Sequence, residues 1–248
     1  MLELFHGGLT TTSKKVRLCL KEKGLTYRSR WLNLAEFEHH RSSYLAINPS
    51  GLVPTLIDDG AVITESMVIN EYLDDRYPTP ALRPAGAVDR ARMRYWTKLA
   101  DEIGPVAVVP HVWPKLRAAT ENLDAGALDN ILGAIPLWER RERWRKVAQE
   151  GFTAAERDQA RAAAMLIAGR MERALADGPW LMGGQFTLAD IDLLPFVDLC
   201  EKFYPDLFNK GSTPCVDEWL RHMRQRTTVA ATYQPTPETC EPNLVCRP

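Results

Sequence analysis

Asn48-Pro49-Ser50-Gly51-Leu52-Val53-Pro54-Thr55-Leu56-Ile57-Asp58-Asp59-Gly60-Ala61-Val62-Ile63-Thr64-Glu65-Ser66 reads as a turn, a strand entered through a proline, a tight hairpin, a second strand and a helix start. Asp58-Asp59-Gly60 supplies the turn chemistry that joins two short apolar runs. Glu65-Ser66 stands where a helix over 67–76 must begin, so free backbone N–H groups point outward there. A proline entering a strand is tolerated at a first position or an edge, which leaves the backbone of Val53 free to pair with something else. Unpaired main-chain groups beside a helix N-terminus and a carboxylate make a seat for a small zwitterionic peptide.

Working outward, Leu2-Glu3-Leu4-Phe5 forms a short strand, followed by a loop of small polar residues from His6 to Thr12. Val16, Cys19 and Leu20 then fit an amphipathic helix that ends at Gly24. A second strand over 27–32 and a short irregular helix over 37–47 complete a βαβ-α-ββα order across residues 1–78. That order is an α/β thioredoxin-like layout, a mixed sheet with helices on both faces. Residues 79–87 form a linker rich in proline. From 88 to 230 the pattern is wholly helical, an all-α bundle with expected helices over 88–109, 128–149, 154–175, 187–204 and 214–226. Pro105, Pro110 and Pro114 are expected to interrupt or end the first of these. Residues 231–248 form a Pro-rich tail.

The 248 residues carry a formal charge of −1, which gives no field to gather nucleic acid or an anionic membrane. No apolar run approaches the roughly 20 residues that span a bilayer. The N-terminus lacks the basic and apolar regions of a signal peptide. A soluble, cytoplasmic protein is expected. Five cysteines without a Cys-x-x-Cys pair argue against a disulfide framework or a zinc site. Cys19 reads as a core thiol, while Cys240 and Cys246 fall in the tail. No metal constellation is present.

Gly183-Gly184-Gln185-Phe186-Thr187-Leu188-Ala189-Asp190-Ile191 carries a capping box, Thr187 with Asp190, and a hydrophobic staple, Phe186 with Ile191. This string, together with the 48–66 block, resembles the glutathione S-transferase family from Leu2 to about Arg226. The resemblance implies that Val53, ahead of Pro54, meets the cysteinyl part of glutathione. It also implies that Ser66 and the helix N-terminus take the γ-glutamyl carboxylate and Glu65 its ammonium. Leu52 stands where the family often has a polar side chain, so contact there rests on backbone groups. His39, His40 and Arg41 are available for the glycyl carboxylate, and His40 is favoured.

Glutathione chemistry needs a thiolate, and a thiol titrating near ~8.5 must be lowered by a donor or positive dipole aimed at sulfur. The tyrosine that some classes place at the end of the first strand is His6 here. The family's serine or cysteine position in the loop falls on Thr10. Ser13 either donates to sulfur or caps the helix, and Thr12 is a third candidate. Trp96, His111, Trp113 and Tyr204 are candidates for the electrophile pocket, against the reading that such aromatics are core.

Val62-Ile63-Thr64-Glu65-Ser66, Val68-Ile69-Asn70-Glu71-Tyr72-Leu73-Asp74 and the arginine-rich stretch from Arg90 to Glu102 most resemble the bacterial glutathione-dependent β-aryl etherases. In those enzymes the thiolate attacks the carbon bearing the aryl ether and expels a phenolate. A general conjugating transferase and a non-catalytic ligand-binding relative remain open beside that reading. The resemblance also implies a hydrophobic aromatic electrophile and a homodimer.

Overall fold

Leu2 and Leu4 alternate with half-buried neighbours, so the first strand, β1 (Leu2–His6), buries one face. It pairs in parallel with β2 (Arg28–Trp31) and antiparallel with β3 (Thr55–Asp58), which pairs with β4 (Ala61–Thr64). The sheet order is β2-β1-β3-β4. Helix α1 (Thr11–Glu22) makes the parallel crossover and α3 (Ser66–Arg76) follows β4. The hairpin expected at 58–60 is present: Asp59 and Gly60 both have positive φ, 47° and 90°, as a two-residue turn between strands requires. The irregular helix expected over 37–47 is a 3-10 turn, Glu38–His40, and a single turn α2 (Ser42–Leu45). The computed structural model describes residues 1–118 and 125–234; the Cys240–Cys246 tail lies outside them.

The second half is helical. Its first expected helix is two: α4 (Ala87–Glu102) ends at Ile103 and α5 (Gly104–Ala118) continues from Gly104. Pro105 falls in the first turn of α5, where a missing N–H breaks no helical bond. Pro110 and Pro114 lie inside α5 instead of ending it. The segment expected over 128–149 divides around Pro136 into α6 (Ala125–Gly133) and α7 (Trp138–Gln149). Then follow α8 (Ala154–Ala174), α9 (Leu188–Phe203), α10 (Pro214–Gln225) and α11 (Thr227–Tyr233). Among the described residues no helix is long and apolar enough to cross a membrane.

One apolar core runs through both halves, joining Leu4, Leu20 and Leu73 to Met93, Leu99 and Leu194. A smaller cluster, Trp113, Leu132, Ile135, Trp144 and Val147, sits where α5, α6 and α7 meet. The seam between the halves is also polar. Lys15 of α1, fully buried, pairs with Asp101 and lies 3.5 Å from Asp192, which accepts from Asn70 Nδ2 at 2.7 Å. The start of α9 has the expected capping box: Asp190 accepts from the Thr187 N–H at 3.0 Å, and Thr187 Oγ1 accepts from the Ala189 N–H. Asp190 further accepts from the Leu181 N–H and from Trp219 Nε1.

Candidate functional site

The end of β1 and the start of α1 are held together by a set of short hydrogen bonds. His6 is buried; its Nδ1 accepts from the Gly8 N–H at 3.0 Å, so the ring proton sits on Nε2 and is directed to Ser29 Oγ at 2.7 Å. Burial, with the Arg17 charge, pushes His6 down to about 4, so it stays neutral and structural. Ser13, fully buried, accepts from the Gly7 N–H at 3.0 Å and from Thr10 Oγ1 at 2.8 Å. Thr10 is the N-cap residue but makes no capping bond. The N–H groups of the first turn of α1 therefore face out unoccupied by that side chain. Arg17, buried below, donates to the Gly8 carbonyl. The dipole of α1 and this guanidinium both make the loop favourable for an anion.

Thr12 Oγ1 donates to the Val53 carbonyl at 3.1 Å, tying this loop to the turn before β3. That turn is fixed from behind. Asn48 Nδ2 and the Tyr44 hydroxyl both donate to the Leu52 carbonyl, and Asn48 Nδ2 also reaches Thr55 Oγ1 at 3.0 Å. Leu52 thus has its carbonyl occupied. Val53 precedes a cis peptide to Pro54 and lies outside the ladder that begins at Thr55. Across from it, Glu65 is the N-cap of α3 at φ 65°. A non-glycine residue there costs on the order of 1–3 kcal/mol, and such strain clusters at ligand sites. The strained backbone sets the exposed Glu65 side chain and the buried Ser66 side by side at the α3 N-terminus. Thr10, Thr12, Ser13, Val53, Pro54, Glu65 and Ser66 come from separate stretches, and the Thr12–Val53 bond and the β3–β4 hairpin join them.

The other expected residues are placed differently. His39 and His40 are each 5% exposed, with ring centroids 3.9 Å apart. Trp96 belongs to the main core and Trp113 is stacked on Trp144, centroids 5.0 Å apart. His111 stacks on Phe203, and its Nε2 lies 2.8 Å from the Tyr204 hydroxyl. That hydroxyl donates to the Ala107 carbonyl, so His111 Nε2–H is the donor and Nδ1 is left as an acceptor. The structure brings His111 and Tyr204 together, and keeps Trp96 and Trp113 in separate clusters. A groove of about 420 Å³ lies beside Pro179, Trp180, His222, Gln225 and Arg226, none of which belongs to the loop, the turn or the α3 start. Among the described residues no cluster of His, Cys, Asp and Glu is arranged to hold a metal.

The sequence reading did not single out Arg140 and Trp144 of α7, which pack against the 37–40 turn. Phe37 and Trp144 have ring centroids 5.9 Å apart. A run of arginines on a helix carries no sign of which one turns inward.

Comparison with known proteins matches the two halves to two family models. The glutathione S-transferase N-terminal domain matches residues 11–76, and the glutathione S-transferase C-terminal domain matches residues 139–222. Protein LigF of Sphingobium sp. (strain NBRC 103272 / SYK-6) is 31% identical over 240 residues, covering 94% of this chain and 93% of LigF. Maleylpyruvate isomerase of Ralstonia sp is 38% identical over 207 residues, 83% of this chain and 85% of the isomerase. The crystal structure of the beta-etherase LigF superposes with a TM-score of 0.84 at 29% identity, covering 94% of this chain and 98% of that one.

Proposed function

The chain belongs to the glutathione S-transferase family, and we propose that it binds glutathione along the Val53–Pro54 edge and uses the sulfur to displace a phenolate from a β-aryl ether. The observation that carries the chemistry is the Thr10–Ser13 pair at the start of α1. Ser13 Oγ takes the Gly7 N–H and lies 2.8 Å from Thr10 Oγ1, and a hydroxyl proton rotates to suit its neighbours. When a thiolate arrives, the Thr10 O–H turns outward to it and Ser13 O–H donates to Thr10 in its place. Thr10, half-buried, meets the sulfur; Ser13, fully buried, holds Thr10 from behind. Thr12, with its proton on the Val53 carbonyl, fixes the distance between loop and turn. The free N–H groups of α1 and the Arg17 charge add to the field that favours the thiolate.

Val53 offers its backbone to the cysteinyl residue, Ser66 and the α3 N-terminus take the γ-glutamyl carboxylate, and Glu65 takes the ammonium. The carbon–sulfur bond forms as the carbon–oxygen bond breaks, and the phenolate leaves to be protonated by water. A phenolate is a competent leaving group, so placement and thiolate activation carry the rate. Similarity to LigF along 94% of the chain supports ether cleavage over general conjugation. The electrophile is then a hydrophobic aromatic, with His111 and Tyr204 as pocket candidates. The same reading carries a homodimer and a cytoplasmic setting, and the free thiols of Cys19, Cys200 and Cys215 suit a reducing compartment.

Turnover with glutathione is compared on a β-aryl ether ketone and on a chlorodinitroarene. Phenol release matched by thioether formation is expected. Arene conjugation without ether cleavage would return the chain to a general conjugating transferase, and silence on both with glutathione bound would make it a binding protein.

A further inference from the structure

Three cations stand in the first two turns of α1, and two of them are spent on the protein itself. Lys15, fully buried, pairs with Asp101, and Arg17 donates to the Gly8 carbonyl. Lys14 is placed differently. Its ammonium rests on the face of the Tyr233 ring, 4.0 Å from the centroid. Among the described residues no Asp or Glu stands within ion-pair distance of it. Asp198 acts on it from further off, and that carboxylate is taken up by Arg224 at 2.7 Å. Burial pushes the Lys14 ammonium below its usual value, with Asp198 opposing the shift and Arg17 adding to it. A cation drawn partly out of water, and given a ring in place of a carboxylate, keeps its charge for an arriving anion.

Two sets of contacts put this ammonium at the level of the Thr10–Ser13 loop. The Lys14 N–H donates to the Thr10 carbonyl at 2.9 Å, so the two residues stand one turn apart on one face of α1, and helical side chains lean toward the N-terminus. Helix α11 runs back along α1: Arg226 and Thr228 hold Glu22 at one end, and Tyr233 covers Lys14 at the other. The Tyr233 hydroxyl is not what holds the ammonium. It is buried without a hydrogen-bond partner, and the side chain lines a cavity of about 120 Å³ with Leu194, Asp198 and Arg224. The ring thus gives its face to α1 and its hydroxyl to α9 and α10.

We propose that Lys14 is a further catalytic residue, its ammonium meeting the aryl oxygen as the ether breaks, and that Tyr233 is the positioning residue that holds it there. The assignment rests on the ether-cleavage reading. In-line displacement puts the leaving oxygen on the side of the carbon away from sulfur. A long side chain rising from the turn below Thr10 reaches past the sulfur to that side. The carbon–sulfur bond forms, the carbon–oxygen bond breaks, and its electron pair moves to the aryl oxygen, where the Lys14 N–H donates. The phenolate then leaves and takes its proton from water. Thr10 and Lys14 divide the charge between them: one stabilises the anion that enters, the other the anion that departs.

The test is the dependence of kcat/KM on the leaving group. β-Aryl ether ketones that release 4-nitrophenol or 4-methoxyphenol are compared on wild type, Lys14→Met, Lys14→Arg, Tyr233→Phe and Tyr233→Leu. The weakly acidic 4-methoxyphenol needs a cation at its oxygen far more than the strongly acidic 4-nitrophenol does. Lys14→Met is expected to lose about a hundredfold on the methoxyphenyl ether and under about threefold on the nitrophenyl ether. Its affinity for glutathione and the thiolate midpoint of bound glutathione should stay where they are. Lys14→Arg keeps the charge and should recover most of the loss. Tyr233→Phe keeps the ring face and should match wild type. Tyr233→Leu repeats the test without touching the lysine, and should fall between wild type and Lys14→Met with the same bias between the two ethers. Variants that melt like wild type and lose equally on both ethers, or lose nothing, overturn the assignment. So does a raised thiolate midpoint in Lys14→Met, which would place the lysine at the entering sulfur. Failure of the wild type to cleave either ether overturns the ether-cleavage reading, and the assignment with it.

Discussion

Thr10 Oγ1 stands 2.8 Å from Ser13 Oγ, and the two share one bond at the start of α1 in place of the capping bond Thr10 would otherwise make. The side chain that is half-buried and the one that is wholly buried therefore act as a pair. In the proposed mechanism the first meets the anion at the helix end, and the second decides where the first one's proton points.

Removing the outer hydroxyl is expected to cost more than removing the inner one. Thr10→Val keeps the shape and should lower kcat/KM by about a hundredfold, as loss of a single anion-stabilising donor does. Ser13→Ala should cost about tenfold, the size of one hydrogen bond, and Thr10→Ser should stay near wild type. The thiolate absorbance of bound glutathione against pH separates the roles. In Thr10→Val its midpoint should rise toward that of free thiol. Equal loss in both variants, with no shift in midpoint, would sink the pair.

At the other end of the seat, Ser66→Ala and Glu65→Gln should raise KM for glutathione about tenfold each while leaving kcat nearly intact. On the proposed reading they meet the γ-glutamyl end, which is bound alike in ground and transition states. Glu65→Gly tests the strain at φ 65°. Glycine adopts that conformation freely, so the variant should lose affinity yet melt no lower than Glu65→Gln. A KM unmoved by Ser66→Ala would remove the α3 start from the site.

How far the chain announces this arrangement depends on the range of the cause. Asp59 and Gly60 need positive φ, Thr187 and Asp190 are three residues apart, and Pro54 opens a strand. Each is a local constraint, so the hairpin, the capped α9 and the first-half topology are legible in sequence. The break at Ile103 and the retention of Pro110 and Pro114 inside α5 are decided by packing that no window of sequence contains. The same holds at His39 and His40. A His-His-Arg run at a helix start carries no local sign of burial, yet both imidazoles lie buried within reach of the Arg140 charge, about a hundred residues further along. The hydroxyl run 10–13 offers several candidates in sequence because burial sorts them, and burial is a property of the fold.

Asp190 gathers the Leu181 and Thr187 N–H groups and the Trp219 indole on one fully buried carboxylate. Replacing it by alanine strands three buried donors at about 1–3 kcal/mol each before relaxation. Asp190→Ala is expected to lose about 3–5 kcal/mol, enough to unfold a marginal domain, and Asp190→Asn should lose less. Urea unfolding measures both. A loss under 1 kcal/mol for the alanine variant would mean that water replaces the carboxylate.

The buried seam makes stability depend on pH. Burial pushes Asp192 up to about 7, with Lys15 opposing the shift, against an ordinary value near 3.8. A carboxyl raised on folding binds its proton more tightly in the native state. Its contribution is therefore complete below about 4 and is lost as pH rises through about 7. Asp190, pushed up to about 6, acts in the same direction. Wild type should accordingly lose melting temperature between pH 5 and pH 8, by the several degrees that a loss on the order of a few kcal/mol amounts to in a chain of this size. Asp192→Asn keeps the acceptor for Asn70 and cannot ionise, so its melting temperature should fall less over the same window. If the two slopes coincide, Asp192 is already ionised throughout, and its pairing with Lys15 outweighs its burial.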